Sequence, residues 1–404
     1  MIARLAFWGS AAWLGFVLAG APLLIVVRGW LRPRPVRRAA IEPSVTVVVA
    51  ARNEAERIAA RLDNLLGQDY PQDCLEVVIA SDGSEDRTVA IATKQATANP
   101  GRVIRVLELP RVGKADALNA AIATVTAEIV VFTDANTSFA SDAVRRIVEP
   151  FADEDVGGVA GNQVYVPADG SVDRAVGERD YWDLDRRIKE AESRAGSTIS
   201  ATGAIYAIRR ELVPTVRTGV TDDFWISTAV VAAGRRLVFE PAAVAFEPPA
   251  PGSRREYGRK VRIMTRGLRG VAERRPLLDP RRTGFYSLQL AWHKVFRRLM
   301  AVPLLILGAS SAILAGDGPV YTLAAAGQAV GYGLAAVGLA RPASRVGRSR
   351  PAALAAFFAM INLASLHALV NLIAGRRIER WEPARTAGSD HDEPATAEPI
   401  GTPR

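Results

Sequence analysis

The chain has 404 residues, 49% of them apolar, with 51 Lys and Arg against 42 Asp and Glu and a formal charge of +9. A slightly positive mean hydropathy excludes a disordered or wholly polar chain. The single cysteine, Cys74, excludes an intrachain disulfide framework and a cysteine zinc cluster, and the scattered His293, His367 and His391 argue against a His-rich metal site.

In chain order, residues 6–27 carry no ionisable group and are long enough to cross a hydrocarbon core, which takes about 20 helical residues. Arg28, Arg32, Arg34, Arg37 and Arg38 follow the run. A secretory signal carries its positive charge before the apolar run, so this one is expected to stay as an anchor. Positive flanks stay cytosolic, so the N-terminus is expected outside.

Pro33, Pro35 and Pro43 lead into a patterned polar stretch, residues 41–284. The β-branched run 45–50 predicts a buried strand. Helical spacing at Ile58, Leu62, Leu65 and Leu66 predicts a helix over 54–66. Strands are expected at 76–80, 103–107 and 129–132, and helices at 88–98 and 114–125. Strands alternating with helices imply an α/β fold, a mostly parallel sheet with helices on both faces. Ligands of such sheets bind beyond the carboxyl ends of the strands. Polar clusters fall at those ends: Asn53 and Glu54, Asp82 to Asp86, and Asp134 to Asn136.

Past this stretch, runs 299–316, 320–340 and 351–374 also read as spans. If the last one crosses, Arg376, Arg377 and Arg380 lie outside, against the charge rule. Asn362, His367 and Asn371 make it the most polar run, so a re-entrant segment or a lining of an internal cavity is the expectation. The span count is three or four. The expected units are 1–40, anchor and basic linker; 41–284, cytosolic domain; 285–380, interfacial and transmembrane helices; and 381–404, a loose tail.

Each cluster has a bland and a chemical reading. Asp134 and Asn136 are turn formers, but a carboxylate and an amide oxygen also suit Mg²⁺ or Mn²⁺ shared with a diphosphate. Asp86 fits a helix cap, whereas Asp82, directly at a strand end, can accept an N–H from a pyrimidine base. Asp222 and Asp223 open a helix, where they can cap it, or one can draw a proton from an acceptor hydroxyl. Between 254 and 298 lie fourteen basic residues against Glu256, Glu273 and Asp279. Most of this band suits anionic headgroups, while Arg259, Arg262 and Arg266 can meet a diphosphate. Nucleic acid is disfavoured, because the band adjoins a span and lacks interleaved aromatics. Phosphate-loop motifs fail: before Gly113-Lys114 the required Gly is Glu108, and Ala115 follows.

Together the segments 45–58, 80–88, 111–121, 131–139, 201–210, 221–225 and 258–267 resemble the family 2 glycosyltransferases, in particular the membrane-embedded relatives of cellulose, chitin and hyaluronan synthases. The resemblance implies a GT-A-like nucleotide-sugar-binding fold and transfer from a UDP-sugar to a lipid or saccharide acceptor with inversion. It implies that Asp82 contacts the base and that Asp134 begins the metal-binding D-x-D motif. Asn53, Glu54, Lys114, Arg259 and Arg262 are expected near the donor, Gly203 and Asp222 in the acceptor region, and Asp223 as the catalytic base. Asn136 stands in place of the second Asp of D-x-D. The Q-x-x-R-W motif of processive synthases has as its nearest match residues 259–263, without the Gln and Trp. That favours a single transfer by a multi-pass protein of the cell membrane. The alternatives are a processive polysaccharide synthase, a non-catalytic nucleotide-binding membrane scaffold and a nucleotidyltransferase; the doublet Asp222-Asp223 and the missing Gly-rich loop count against the last. Sugar, acceptor and any protein partner are not legible in the sequence.

Overall fold

The structure, a computed structural model, describes residues 1–166, 176–248 and 253–376. The first apolar run is a helix, α1 (Ile2–Gly15) and α2 (Ala21–Leu31), joined by a wider π turn at Phe16–Gly20. Then follow β1 (Val45–Ala51), α3 (Ile58–Leu66), β2 (Leu75–Asp82), α4 (Thr88–Ala98), β3 (Val103–Leu109), α5 (Lys114–Thr124) and β4 (Ile129–Asp134). The second half holds β5 (Ser138–Phe139), α6 (Ala143–Val148), β6 (Val156–Tyr165), α7 (Val176–Ala195), β7 (Tyr206–Arg209), α8 (Asp222–Ala232) and β8 (Arg236–Glu247).

These strands form one sheet in the order β3-β2-β1-β4-β7-β6-β8-β5. The β1–β2, β2–β3, β1–β4 and β6–β8 pairs are parallel, whereas β7 runs antiparallel to β4 and β6, and β5 to β8. Every residue of β1 is buried, as expected of a strand covered on both faces. Val45, Val47 and Val49 pack with Ile58 and Leu62 of α3, and Val48 and Ala50 with Ala117 and Leu118 of α5. Burying each such valine stabilises the fold by about 1.5–3 kcal/mol. The stacked rings of Phe132 and Tyr206, 5.0 Å apart, sit at the paired ends of β4 and β7.

The helix expected from residue 54 begins at Ile58 instead. Asn53 is in the left-handed region, φ 52°, which Asn tolerates better than most residues. The amides of Glu54 and Ala55 are bonded to Thr88 and Asp86 at 2.8 and 3.0 Å, which holds the segment as a turn.

Beyond the sheet, α9 (Ser253–Glu273), α10 (Pro280–Thr283) and α11 (Phe285–Leu290) lead into a second π turn, Ala291–Phe296. The apolar helices α12 (Ala301–Ile313), α13 (Pro319–Ala340) and α14 (Arg350–Ile373) follow. Among the described residues three helices are long and apolar enough to cross a membrane: 2–31, 319–340 and 350–373. Residues 285–296 and 301–313 meet at 63° and make a fourth if they count as one broken span. The irregular segment expected in the last run therefore lies earlier, where Arg297 and Arg298 interrupt the apolar sequence and Pro303 sits in the first turn of α12.

The fourth run is one continuous helix, and its polar groups face a helix rather than a cavity. Buried Ser365 bonds to Met264 Sδ at 3.3 Å and buried Asn371 to Thr265 at 3.5 Å, both on α9. Arg377, Arg380 and the proposed tail lie outside the described residues.

Candidate active site

Parallel pairing puts the strand ends level. Ala50 is in register with Asp134 and Ala51 with Ser81, so Asn53, Asp82 and Asp134 come to one edge of the sheet. Asp82 is buried, and its Oδ1 accepts the amides of Val112 and Gly113 at 2.8 and 2.7 Å. Its Oδ2 is buried with no hydrogen-bond partner among the described residues. A buried carboxylate oxygen left without a donor is costly unless a ligand supplies one. Gly83 follows at φ 58°, and a Cβ there would meet the Arg111 backbone at 2.8 Å, so only glycine lets the two loops close on each other. Asn53 joins the same loops: its Oδ1 accepts the Glu85 amide at 2.8 Å, and its amide reaches the Ser84 hydroxyl at 3.1 Å. Asp86 takes the Thr88 amide at 2.9 Å, which is the capping role expected of it.

Lys114, at the start of α5, bridges two carboxylates. Its Nζ lies 2.8 Å from Asp134 Oδ1 and 2.8 Å from Asp222 Oδ2. Burial alone would lower its pKa, but Asp134 and Asp222 outweigh that and raise it. The ammonium is therefore permanently charged and joins β4 to the first turn of α8.

Because β7 runs antiparallel to β4, the loop before Tyr206 lies at the carboxyl end of β4. Gly203 there abuts Asp134: a Cβ would fall 2.7 Å from its Oδ2. Gly203→Ala is accordingly expected to displace that carboxylate. Nucleotide binding in Mn²⁺ should weaken by about 10-fold or more while the melting temperature changes little. Unchanged affinity by calorimetry would mean that the loop simply moves away.

Asp223 is half-buried, and its Oδ1 accepts the amide of Phe224 at 2.7 Å. Burial pushes its pKa up to about 6, Asp222 adds to the rise, and Lys294 opposes it. A carboxylate poised there is suited to taking a proton near neutral pH.

At the other side of Asp134, Asn136 donates from Nδ2 to Glu247 Oε1 at 3.2 Å, and Gln163 donates to the same carboxylate. Burial raises the Glu247 pKa and Asp134 adds to it, while the bonds from Asn136 and Gln163 and the charge of Arg259 oppose the rise. Glu54, ion-paired to Arg57 at 3.2 Å, is also raised, by burial first and by Asp134 among the rest. Buried Arg61 lies beneath, bonded to Thr133 at 2.7 Å; burial lowers it to about 9 against the pull of Asp134. A cavity of about 310 Å³ opens between Arg57, Arg61, Asn136, Phe246 and Glu247. Arg262 lies one turn beyond Arg259 on the same helix, half-buried.

Sequence reasoning thus named Asn53, Glu54, Asp82, Lys114, Asp134, Asn136, Gly203, Asp222, Asp223 and Arg259, which the fold gathers at one sheet edge. Three participants escaped it. Glu247 ends a strand with no motif around it, and its only signal was an acid at a strand end. Arg61 sits within an ordinary helical pattern. Lys294 lay unmarked in the basic band 254–298.

The model of the glycosyl transferase family 2 matches residues 46–217, which include Asp82, Lys114, Asp134 and Gly203 and stop just before Asp222. The chain carries a family 2 glycosyltransferase domain.

The chain is similar to an N-acetylglucosaminyltransferase of Neorhizobium galegae, 29% identical over 216 residues, 50% of each chain. It is similar as well to a poly-beta-1,6-N-acetyl-D-glucosamine synthase of Staphylococcus aureus (strain COL), 28% identical over 207 residues, 50% of this chain and 49% of that one. The chain spans about half the length of the curated relatives it matches. Among solved structures, the mannosyltransferase PcManGT of Pyrobaculum calidifontis, in complex with GDP-Man and Mn²⁺, superposes with a TM-score of 0.71. It is 28% identical, and the match covers 93% of this chain and 100% of that one. The structural similarity therefore extends beyond residues 46–217 into the flanking helices.

Proposed function

We propose that the protein is a membrane-bound inverting glycosyltransferase that moves a sugar from a UDP-sugar to a hydroxyl of a lipid or saccharide acceptor. One observation carries this reading. Asp82, Asp134, Asp222 and Asp223, from three different elements, come to one edge, with Lys114 tying two of them together.

In this scheme the vacant Oδ2 of Asp82 accepts an N–H of the nucleotide base. Asp223 takes the proton of the acceptor hydroxyl as that oxygen attacks the anomeric carbon from the face opposite the diphosphate. The bond from the anomeric carbon to the diphosphate oxygen breaks in the same step, and the configuration inverts. Lys114 steadies the negative charge that passes to the diphosphate.

The donor set fits a hard divalent ion. Asp134, the amide oxygen of Asn136 and Glu247 offer oxygen ligands only, and the mutual repulsion of Asp134 and Glu247 would be relieved by a cation. Among the described residues no group of three or more His, Cys, Asp or Glu is placed to hold a metal ion by itself. Mg²⁺ or Mn²⁺ held there would neutralise charge on the departing diphosphate.

The basic flank after the first span supports a multi-pass protein of the plasma membrane with residues 41–284 in the cytosol. The proposed units remain 1–40, 41–284, 285–380 and 381–404. Release of nucleoside diphosphate by purified full-length protein tests the donor, against UDP-N-acetylglucosamine, UDP-glucose and GDP-mannose, with and without membrane lipid extract. A UDP-sugar is expected to be consumed. GDP-mannose is the second reading, since the solved relative that covers the chain binds GDP-Man. A single-sugar product is expected, and a ladder of oligomers would instead establish a processive synthase.

A further inference from the structure

The π turn at Ala291–Phe296 joins three parts of the molecule through three consecutive side chains. π turns carry an extra residue and are frequent at functional sites. Trp292 donates its indole N–H to the Val17 carbonyl at 2.8 Å, inside the other π turn of the first apolar helix. His293 Nε2 lies 2.6 Å from Glu192 Oε1 on α7. That carboxylate has no exposed side-chain surface, and its Oε2 accepts from the Thr198 hydroxyl and the Ile199 amide, both at 3.1 Å. Anchored by these two neighbours, Lys294 extends toward α8, with Nζ 5.1 Å from the ring centre of Phe224. Phe224 is the residue whose amide Asp223 binds.

We propose that Lys294 is a positioning residue, which supplies from the membrane-side helix the counter-charge that keeps the Asp223 carboxylate ionised for proton abstraction. The inference rests on the reading of Asp223 as the base. Around Asp223 stand Asp222 on its own helix, Lys114 from α5, Tyr206 from β7 and Lys294 from the π turn. Lys114 is already bonded to Asp134 and Asp222. Around Lys294 stand Arg297 and Arg298 on its own segment, Lys189 from α7, and Asp223. Lys189 is paired with Asp185 at 2.8 Å, and Arg297 faces His293 at 3.4 Å. Of these neighbours only Asp223 is acidic, and its attraction offsets part of the repulsion from the surrounding cations. No motif marks Lys294, because the contact depends on where the π turn docks.

The test is the pH profile of kcat/KM between pH 5 and 9 for full-length protein in lipid, following UDP release from UDP-N-acetylglucosamine and GDP release from GDP-mannose in parallel. Lys294→Gln is expected to move the acidic limb up by about one unit, the usual effect of losing a nearby opposite charge. Activity at pH 6 then falls about 5-fold and recovers above pH 8. Lys294→Arg should restore the limb, and binding of UDP or GDP to each variant shows that it has folded. A loss of equal size at every pH would overturn the proposal. So would a rise in acceptor KM with the limb unmoved, which would make Lys294 a binding residue. An Asp223→Asn protein with undiminished turnover would remove the base itself, a failure distinct from these.

Discussion

Asp223→Asn is expected to lower kcat by about 10²–10⁴-fold, the usual contribution of a positioned general base, and to leave nucleotide affinity unchanged. The geometry separates the two effects. Asp82 and Asp134, the residues proposed to serve the nucleotide, sit at the ends of β2 and β4, while Asp223 opens α8 and bonds only to the adjacent Phe224 amide among the hydrogen bonds described. The same residue sets the pH dependence. Its folded pKa of about 6 means that the ionised base is lost as pH falls through 6, so wild-type kcat/KM should halve there. For stability the sign is opposite. A carboxyl raised above its usual range favours the folded state while protonated, so its contribution is complete below about pH 4 and is lost as pH rises toward 6. Asp223→Asn should therefore melt higher than wild type at pH 8, by a margin that shrinks to nothing near pH 4. Single-turnover rates and thermal scans across that range check both. Near-normal turnover would exclude the residue from the mechanism.

Asp134→Ala should weaken binding of UDP or GDP by about 100-fold in Mn²⁺, since losing even an outer partner of a bound metal commonly costs 10–100-fold. In chelator the variant and the wild type should bind alike. The structure makes this a demanding test, because Asp134 also holds Lys114 at 2.8 Å. If its main task were to place that ammonium, the loss would persist in chelator. Asp222→Asn, which removes the other partner of Lys114, would then show the same loss. Calorimetry on both variants, with and without metal, resolves the two roles. Equal weakening of Asp134→Ala under both conditions would show that it is not a metal ligand.

The proposed role of Lys294 would tie the base to the first apolar helix. Trp292 grips Val17 while its neighbour but one reaches Phe224, so the docking of the first apolar helix and the charge beside Asp223 share one turn of chain. A catalytic domain cut free of its helices would keep Asp82, Asp134 and Lys114 together and lose this cation.

Much of the fold was legible because it rests on local patterns. Runs of β-branched residues marked β1, β2, β3 and β4 to within a residue or two, and residues 88–98 were read as a helix with the bounds they have. The carboxylates at strand ends followed from the same logic, since a parallel sheet places those ends side by side. Errors arose where distant contacts override local pattern. Residues 54–57 carry helical spacing, yet bonds to Asp86 and Thr88 hold them as a turn. The last apolar run looked irregular through its polar residues, but Ser365 and Asn371 find partners on α9 and the helix continues unbroken.

Sequence alone was sufficient for the strand–helix alternation, the apolar runs and the position of carboxylates at strand ends, because side-chain periodicity and charge are properties of neighbours along the chain. The antiparallel placement of β7 that brings Gly203 to Asp134, the arrival of Glu247 beside Asn136, and the reach of Lys294 to the Phe224 ring were decided only in three dimensions. Each joins residues roughly 70 or more positions apart, and such pairings are set by sheet register and helix docking, whose energies are summed over whole faces rather than written in any short segment.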